Sequence, residues 1–451
     1  MRICVVGLGK LGTPLAAILA ARGHDVTGVD ARPAVVELLN QGRTAIQEPG
    51  LAELIERSRS RLRATTDLAA AAADAEASFI VVPTPSTANG TFSVRFVVDA
   101  IEGIGRGLRR SNNYHVVTVT STVMPLSHDL EIRPALERAS GRIVGHTVGL
   151  CYNPEFIALG SVIRDMMNPD LVLIGESDPR AGDVVEAVHR TFIALDVQVR
   201  RMTCVNAEIA KLAVNTFVTT KISYANMLAE LCEHLPGGDI DVVTDAIGVD
   251  RRIGHAYLRA AVGYGGPCFP RDNAALAAAA AQVGARADIA AATDAINRRQ
   301  LDRLVGVVRT HASPRQHRIG VLGLAYKPGT PVVEESQGVM LANRLAADGF
   351  ATSVFDPAAL PDAAAALAPS VSCARALVEC IETCDVLVLI VPLPEFREIP
   401  ALLRARARKP SVIVDCWRQL APADLEGLAD LVHLGKASAP SASQVFVPPL
   451  A

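Results

Sequence analysis

Gly7-Leu8-Gly9-Lys10-Leu11-Gly12 is the stretch of sequence that decides the fold of the amino-terminal part of the chain. It follows a β-branched run at residues 2–7 and opens an alanine-rich helical pattern at residues 11–22. In such a strand–turn–helix, the first glycine permits the tight turn and the second lets the backbone approach a pyrophosphate. The third glycine allows close packing of helix on strand. The stretch therefore predicts a parallel α/β domain that binds a dinucleotide, although the same glycines would also suit a turn that serves folding alone.

A carboxylate at the end of the second predicted strand indicates which dinucleotide binds. Asp30 closes the run at residues 25–30, eighteen positions after Gly12. A carboxylate there accepts hydrogen bonds from the adenosine ribose and repels a 2′-phosphate, which favours NAD over NADP. Arg32 lies close by and would soften that preference. The predicted cofactor-binding residues are Gly7, Gly9, Lys10, Leu11, Gly12, Asp30, Arg32, Pro83, Thr84, Pro85, Ser121 and Thr122.

The predicted pattern of strands and helices changes twice after this first motif. Short β-branched runs alternate with helical stretches up to residue 202, a helical pattern fills residues 203–310, and the β/α rhythm then resumes. The predicted fold class is α/β: an amino-terminal Rossmann domain (1–202), a central long-helix domain (203–310), a carboxyl-terminal Rossmann-like α/β domain (311–436) and a flexible tail (437–451). The predicted strands are residues 2–7, 25–30, 78–83, 115–120 and 147–153 in the first sheet, and 318–324, 351–355, 385–392 and 411–415 in the second.

The composition excludes several classes of function. Half of the 451 residues are apolar, the net charge is −3, and no apolar run is long enough to span a bilayer. A chain with these properties lacks the basic footprint of a nucleic-acid-binding protein. The amino terminus has no export signal, and the nine scattered cysteines suit a reducing compartment, so we expect a cytoplasmic location. Cys380 and Cys384 stand one helical turn apart without an accompanying histidine, and we expect core packing there and no metal site.

Two polar residues on the long predicted helix at residues 206–235 are candidates for catalysis. Lys211 and Asn215 are four positions apart, which puts an ammonium and a carboxamide on one face of the helix. Together they could hydrogen-bond an oxygen that becomes anionic during a reaction. The alternative is a solvated lysine and asparagine on an exposed helix face.

A cysteine in a glycine-rich loop is the next candidate. Gly263-Tyr264-Gly265-Gly266-Pro267-Cys268-Phe269-Pro270-Arg271-Asp272 combines glycines that allow close backbone approach to a ligand with a thiol and a carboxylate. Cys268 is a candidate nucleophile, and Asp272 could position a water molecule or accept a proton. A lone cysteine is otherwise most often an inert buried residue.

Two predicted strand ends supply further polar groups. Tyr152-Asn153-Pro154-Glu155-Phe156 and Ser121-Thr122-Val123-Met124-Pro125 each follow a predicted parallel strand, and ligands bind at the carboxyl ends of such strands. Glu155 is therefore a candidate base, and Thr122 offers a hydroxyl. The alternative is that these side chains only cap the strand ends.

The sequence resembles the UDP-glucose/GDP-mannose dehydrogenase family from Met1 to about Leu420. The most specific marks are residues 153–156, 207–215 and 265–272, together with Gly323-Leu324-Ala325-Tyr326-Lys327-Pro328. The resemblance implies a metal-free homodimer that performs two successive NAD-dependent oxidations at C6 of the sugar in a nucleotide sugar.

The resemblance also implies roles for individual residues. The Cys268 thiolate would add to an aldehyde to give a thiohemiacetal, which is oxidised to a thioester and hydrolysed with water directed by Glu155 or Asp272. The implied catalytic residues are Cys268, Lys211, Asn215, Asp272, Glu155 and Thr122. The implied substrate-binding residues are Glu155, Phe156, Ile157, Lys211, Asn215, Arg252 (which would reach the partner subunit's site), Arg259, Tyr264, Gly265, Gly266, Tyr326 and Lys327.

Three places depart from the family pattern. Leu159 stands where family members often have a second acid, and Glu334 ends a segment where they tend to have Thr-Asp-Asp-x-Arg. Trp417 displaces an arginine that would approach the sugar nucleotide. The sugar and the base therefore stay open, with UDP-glucose or a UDP-N-acetylhexosamine as the default. A two-electron 3-hydroxyacid-type dehydrogenase and a non-catalytic nucleotide-binding dimer are the alternatives.

Overall fold

The computed structural model describes residues 1–406 and 410–437. All but the first residue of the predicted tail at 437–451 lies outside the described residues. The chain divides into two compact units, Met1–Ala213 and Val214–Ala451, which are considered separately below. Among the described residues, no helix has both the length and the apolar character that crossing a membrane requires.

The first unit is built on an eight-stranded sheet in the order β3-β2-β1-β4-β5-β6-β7-β8. Neighbouring strands are parallel except for β6 and β7, which pair antiparallel. The central strands are apolar on both faces because helices cover both faces, as expected of a doubly wound sheet. The strands are β1 (Arg2–Val6), β2 (Asp25–Val29), β3 (Leu62–Thr65), β4 (Ala77–Ile80), β5 (Val116–Val119), β6 (Gly149–Tyr152), β7 (Leu171–Glu176) and β8 (Gln198–Met202).

Eight α-helices connect these strands, and a π-helical turn at His128–Ile132 precedes α6. The first, α1, begins at the third glycine of the opening motif and is almost entirely buried. The helices are α1 (Gly12–Ala21), α2 (Pro33–Asn40), α3 (Leu51–Ser58), α4 (Leu68–Asp74), α5 (Arg95–Leu108), α6 (Arg133–Ser140), α7 (Val162–Met167) and α8 (Pro179–His189).

The predicted strands of the first sheet are confirmed, with bounds that differ by one to three residues. The prediction omits three strands of this sheet. Gln198–Met202 and Leu62–Thr65 lie at the two edges and carry arginines, so neither has the continuous apolar run of a central strand. Leu171–Glu176 does have such a run and could have been recognised from it.

The second unit consists of a helical part followed by a second sheet. Helix α9 (Cys204–His234) begins in the first unit and continues into the second, and it confirms the long helix predicted at residues 206–235. The other helices of this unit are α10 (Ile240–Gly248), α11 (Phe269–Gln282), α12 (Asp288–His311), α13 (Gln337–Ala347), α14 (Leu360–Ala363), α15 (Leu377–Thr383), α16 (Ile399–Arg404) and α17 (Pro422–Leu425), with a 3-10 turn at Pro394–Glu398.

The second sheet has six parallel strands in the order β11-β10-β9-β12-β13-β14. Its core contains Cys380 and Cys384, both without solvent exposure, as predicted from their packing pattern. The prediction omits only the two edge strands of this sheet. The strands are β9 (Arg318–Leu322), β10 (Ala351–Phe355), β11 (Ser372–Cys373), β12 (Val386–Leu389), β13 (Val412–Asp415) and β14 (Asp430–His433).

Candidate active site

The first glycine turn has the geometry of a dinucleotide cradle. Gly7 takes a positive φ of 94°, which glycine adopts at no steric cost, and a Cβ on Gly12 would collide with the Gly7 carbonyl. Apart from Gly9 itself and its two chain neighbours, no described residue has an atom within 4 Å of the place where Gly9 would carry a Cβ. The turn is therefore closed where the helix packs and open where a pyrophosphate would approach the start of α1.

Asp30 is held at the carboxyl edge beside this turn. Its carboxylate accepts the Leu8 backbone N–H at 3.0 Å and the Arg32 guanidinium at 3.0 and 3.2 Å. Burial alone would raise the pKa of Asp30, but the hydrogen bonds from Arg32 and Leu8 outweigh it and lower the pKa. The carboxylate is thus ionised and suited to accept ribose hydroxyls, while the Arg32 side chain stays 66% exposed.

The loop after β5 is tied to the loop after β4. The Ser121 hydroxyl accepts the Val82 N–H at 3.0 Å and donates to the Val82 carbonyl at 2.6 Å. The Thr84 hydroxyl donates to the Thr122 carbonyl at 2.7 Å. These bonds bring the predicted cofactor residues Thr84, Ser121 and Thr122 together and fix their backbones, with the half-buried Thr122 side chain at the strand end.

Lys211 and Glu155 meet at the end of β6. The Lys211 ammonium donates to the Glu155 backbone carbonyl at 2.7 Å and lies 4.5 Å from the centre of the Phe156 ring. Burial raises the pKa of the Glu155 carboxyl to about 7, although the charge on Lys211 acts in the opposite direction. A carboxyl group with this pKa can accept or donate a proton near neutral pH, as a general base requires.

Cys268 lies directly before the first residue of α11, at the amino-terminal end of a fourteen-residue helix. Its side chain is exposed, whereas seven of the nine cysteines are buried. A helix amino terminus favours the thiolate over the thiol, and only the thiolate is an effective nucleophile. Both its accessibility and its helical position therefore suit a reactive cysteine.

The glycines before Cys268 make close contact with another part of the chain. The Gly266 N–H donates to the Glu334 carbonyl at 2.9 Å, and a Cβ on Gly265 would collide with the Glu335 carbonyl. The Tyr326 ring packs on the other side, 2.6 Å from where Gly266 would carry a Cβ. The small residues are needed because a neighbouring loop presses against the cysteine loop.

The other predicted polar groups of the second unit form a buried network. The Asn215 amide donates to the Asp272 carboxylate at 2.6 Å, and Asp272 is only 2% exposed. The Asn273 amide donates to the Thr219 and Tyr264 hydroxyls at 2.9 and 3.2 Å. Asp272 thus belongs to a fixed arrangement behind Cys268, and the Tyr264 hydroxyl lies within this internal network.

Two asparagines that were not predicted from the sequence hold the cysteine loop. Asn297 accepts the Tyr264 N–H at 2.8 Å and donates to the Tyr264 carbonyl at 3.0 Å, while Asn273 also donates to the Phe269 carbonyl at 3.0 Å. Both lie inside helices, where asparagine is a poor helix former. That unfavourable placement in α11 and α12 is the signal that could have revealed them.

Tyr326 and Lys327 follow β9, at the carboxyl edge of the second sheet. The Lys327 ammonium lies 5.9 Å from the centre of the Tyr326 ring. Burial and the nearby Cys268 raise the pKa of Tyr326 to about 12. The two predicted substrate residues therefore lie on the loop that presses against the cysteine loop.

The departure at Trp417 is accommodated by two arginines. The Trp417 carbonyl accepts the Arg259 guanidinium at 2.7 Å, and its indole N–H donates to the Ile390 carbonyl at 2.7 Å. Arg418 turns away, because its guanidinium pairs with Asp239. The carboxyl edge of β13 thus presents Arg259, a predicted substrate residue, in place of an arginine of its own.

The remaining predicted residues are dispersed. Arg252 is 88% exposed and pairs only with Asp250 in the neighbouring turn among the contacts described. Ile157 and Leu159 are partly buried and pack against the core of the first unit. Lys10 is exposed at the glycine turn, beside the half-buried Leu11.

Comparisons with known proteins cover almost the whole chain. Models of the UDP-glucose/GDP-mannose dehydrogenase family match as the NAD binding domain at residues 1–193, the central domain at 205–299 and the UDP binding domain at 320–422. The UDP-glucose 6-dehydrogenase of Haloferax volcanii is 38% identical over 80% of this chain and 84% of its own length. The GDP-mannose 6-dehydrogenase of Pseudomonas aeruginosa is 34% identical over 79% and 81%.

A solved structure agrees with these sequence matches. A UDP-glucose dehydrogenase from Pyrobaculum islandicum superposes with a TM-score of 0.87 at 32% identity, covering 97% of this chain and 98% of that one. The glycine turn and Asp30 lie within the residues that match the NAD binding domain of the family. The chain belongs to the UDP-glucose/GDP-mannose dehydrogenase family and is an NAD-dependent oxidoreductase.

Proposed function

We propose that this protein oxidises the C6 primary alcohol of a nucleotide sugar to a carboxylate, through a covalent adduct on Cys268. The observation that carries the proposal is the placement of this exposed thiol at the amino terminus of α11. The loop before it is fixed from both sides by Tyr326 and by the Glu334–Glu335 backbone. A thiol held in this way can attack a carbonyl carbon without first ordering its own loop.

In the first oxidation, C6 loses a hydride and its hydroxyl loses a proton, which gives an aldehyde. NAD, when bound, would accept this hydride, and a second NAD would accept the hydride of the next oxidation. Glu155 has a pKa of about 7, so a large part of it is ionised at neutral pH and able to accept the proton. The Thr122 hydroxyl, on a backbone fixed by Thr84, would hold the reacting hydroxyl.

The covalent step follows from the chemistry of a thiolate and an aldehyde. The Cys268 sulfur forms a bond to C6, the carbonyl π bond breaks, and its electron pair moves to oxygen. Lys211 and Asn215, one turn apart on α9, would donate hydrogen bonds to that oxygen. Loss of a second hydride from C6, as the electron pair on that oxygen re-forms the carbonyl double bond, then converts the thiohemiacetal oxyanion into a thioester.

Hydrolysis completes the reaction and restores the enzyme. A water molecule adds to the thioester carbon, the carbon–sulfur bond breaks, and the thiol leaves with its electron pair. Asp272 and Glu155 are the candidates to direct the water and take its proton. Because the sugar stays attached to sulfur between the two oxidations, the aldehyde cannot diffuse away.

The substrate class rests on the second unit. Tyr326, Lys327 and Arg259 offer an aromatic ring and two cations around the carboxyl edge of the second sheet, which suits a nucleoside diphosphate. UDP-glucose or a UDP-N-acetylhexosamine is the default substrate. Relatives named for UDP-glucose and for GDP-mannose have similar identities to this chain, so the base is left to experiment.

The test is a panel of nucleotide sugars, UDP-glucose, UDP-N-acetylglucosamine and GDP-mannose, incubated with NAD and the purified chain. We expect one of them to give two NADH for each uronate formed. One NADH with released aldehyde would overturn the proposal in favour of a two-electron dehydrogenase. NAD binding without turnover of any sugar would favour the non-catalytic alternative.

We further propose that the chain forms a homodimer through α9. Phe217, Tyr224 and Leu231 recur every seven residues on this helix and are 67%, 47% and 55% exposed. Large apolar side chains in such a stripe are typical of a helix face that another subunit covers. Light scattering should give a dimer for the wild type and a monomer for Phe217→Glu. The control Leu195→Glu alters an 87% exposed leucine elsewhere and should remain a dimer, whereas a dimeric Phe217→Glu protein would contradict the proposal.

A further inference from the structure

Glu208 is a buried carboxylate to which the proposed reaction assigns no role. It has no solvent exposure and accepts three hydrogen bonds. The donors are the Leu126 N–H at 2.7 Å, the His128 N–H at 3.0 Å and the His128 Nδ1 at 2.7 Å. Burying an ionisable carboxyl costs free energy, and here a single segment of the chain supplies all three of the hydrogen bonds that offset this cost.

That segment is the end of residues 121–128, here called the Thr122 loop. The beginning of the Thr122 loop is fixed by the two hydrogen bonds between Ser121 and Val82. Its end is fixed by Glu208, whose carboxylate binds the N–H of Leu126, a residue with a φ of +74°. Non-glycine residues rarely hold such a left-handed conformation unless their surroundings enforce it.

The same stretch of α9 also holds the neighbouring strand end. Lys211, three residues after Glu208, donates to the Glu155 carbonyl after β6. Strands β5 and β6 are paired, so the Thr122 loop and the Glu155 segment leave adjacent strands at the same edge. One stretch of helix therefore holds both strand ends, one through Glu208 and the other through Lys211.

We propose that Glu208 is a positioning residue that fixes Thr122 relative to Glu155 and Lys211 during hydride and proton transfer. It acts through the Thr122 loop and does not touch the substrate. The inference rests on the proposed function, because Thr122, Glu155 and Lys211 are that function's candidate groups in the first unit.

A carboxylate is required here because all three partners are N–H donors. In Glu208→Gln, one oxygen can still serve His128, but the new amide N–H₂ faces the Leu126 N–H. Two donors cannot bond to each other, so the left-handed residue loses its restraint. A displacement of about 1 Å at a reacting group is enough to reduce turnover by about a hundredfold.

The experiment compares Glu208→Gln with Ser78→Ala, which removes a buried polar contact elsewhere in the same unit. Ser78 and His115 are both buried and bonded at 2.9 Å, and neither has a proposed role. We expect Glu208→Gln to lower kcat at least tenfold with KM for the nucleotide sugar changed less than threefold. Ser78→Ala should lower the Tm while kcat stays within twofold of the wild type.

Amide hydrogen exchange of Leu126 and His128 provides a readout that does not depend on turnover. We expect both amides to exchange at least tenfold faster in Glu208→Gln, while the amides of β5 are unchanged. A wild-type protein that oxidises none of the nucleotide sugars would contradict the proposed function. Amide hydrogen exchange would then still test whether Glu208 holds the Thr122 loop. A Glu208→Gln protein with normal kcat, or with unchanged exchange, would overturn the inference.

A second pair of variants covers the case in which Glu208→Gln does not fold. His128→Asn keeps a side-chain N–H donor near the position of Nδ1, whereas His128→Ala removes it. We expect His128→Asn to retain most of the wild-type kcat and His128→Ala to lose it at unchanged KM. Equal kcat values in the two folded variants would contradict a positioning role for the Glu208 network.

Discussion

In each of the two sheets, the first strand along the chain runs into a glycine turn, and the two turns are built in the same way. Gly7 and Gly323 have φ values of 94° and 96°, and each donates its N–H to the last residue of the neighbouring strand. A Cβ on Gly12 or on Gly338 would collide with the carbonyl of the first glycine in its own turn. The close packing of helix on strand is therefore the same in both sheets.

The turns differ in what lies between their two glycines. Gly12 follows Gly7 by five positions, whereas Gly338 follows Gly323 by fifteen. The short turn leaves open space at Gly9, while the longer one forms a loop that presses against the cysteine loop. The short turn thus has room for the proposed cofactor, and the long one packs against the loop that carries Cys268, the proposed nucleophile.

The acids beside the two turns show the same division. Asp30 accepts two backbone N–H groups, those of Leu8 and Arg32, and two further hydrogen bonds from the exposed Arg32 guanidinium. Asp356 is 3% exposed and accepts four backbone N–H groups, those of Leu324, Ala325, Ala358 and Ala359. All the hydrogen bonds to Asp356 thus come from the backbone, whereas half of those to Asp30 come from an exposed side chain that a bound ribose could displace.

The largest expected effect, a loss of kcat, is that of Gly265→Ala in the cysteine loop. Its new methyl group would meet the Glu335 carbonyl, displace the cysteine loop and lower kcat about a hundredfold. NAD affinity, measured by calorimetry, should stay within twofold of the wild type because the first sheet is unaltered. The control Gly306→Ala adds a methyl group to an open position in α12 and should retain full activity. Normal turnover of Gly265→Ala would show that the close contact with the Glu335 carbonyl does not determine the position of the cysteine loop.

The next effect concerns the stability of the second turn. In Asp356→Asn, the amide N–H₂ would face backbone N–H donors, which should lower the free energy of local opening of β9 and β10 by about 3 kcal/mol. Asp30→Asn loses fewer backbone partners and should lower that of β1 and β2 by about 1 kcal/mol. Amide hydrogen exchange measures both quantities, and equal losses would remove the distinction between the two acids.

Gly9→Ala should act on the cofactor alone. Its methyl group enters open space, so the Tm without NAD should not fall, but it occupies the room for the pyrophosphate. We expect the Kd for NAD to rise about tenfold, equivalent to about 1.4 kcal/mol. An unchanged Kd would mean that the open space of the first turn is not where the cofactor binds.

The smallest expected effect is in the pH dependence. Burial raises the pKa of Glu155 to about 7, so a reaction that needs its ionised form should lose about fivefold in kcat between pH 7 and pH 6. The comparison at the second sheet is Asp415, a fully buried carboxylate that accepts the backbone N–H groups of Trp417 and Leu420 and has no proposed role in proton transfer. Glu155→Gln should abolish the change in kcat between pH 6 and pH 7. If kcat of this variant still depends on pH in that range, a group other than Glu155 is responsible.

The sequence predicts the parts of this molecule that local patterns determine. Residues 7–12 and Asp30 identify the first sheet because a glycine turn and a strand-end acid are read within thirty residues of chain. The long helix is equally clear from its uninterrupted periodicity. The partners of Gly265 and Gly266 were not predictable, because Glu334 and Glu335 lie some seventy positions away. The hydrogen bond from Leu126 to Glu208 was not predictable either, because it depends on a left-handed backbone conformation at Leu126 that no sequence pattern indicates.

In the proposed reaction, Cys268 carries the sugar between two oxidations. Its most direct test is the yield of NADH and uronate from Cys268→Ala with excess NAD and the nucleotide sugar that the wild type accepts. The control is Cys373→Ala, which removes the other exposed cysteine. We predict two NADH per uronate for the wild type and the control, and at most one NADH with no uronate for Cys268→Ala. Two NADH per uronate from Cys268→Ala would contradict the account.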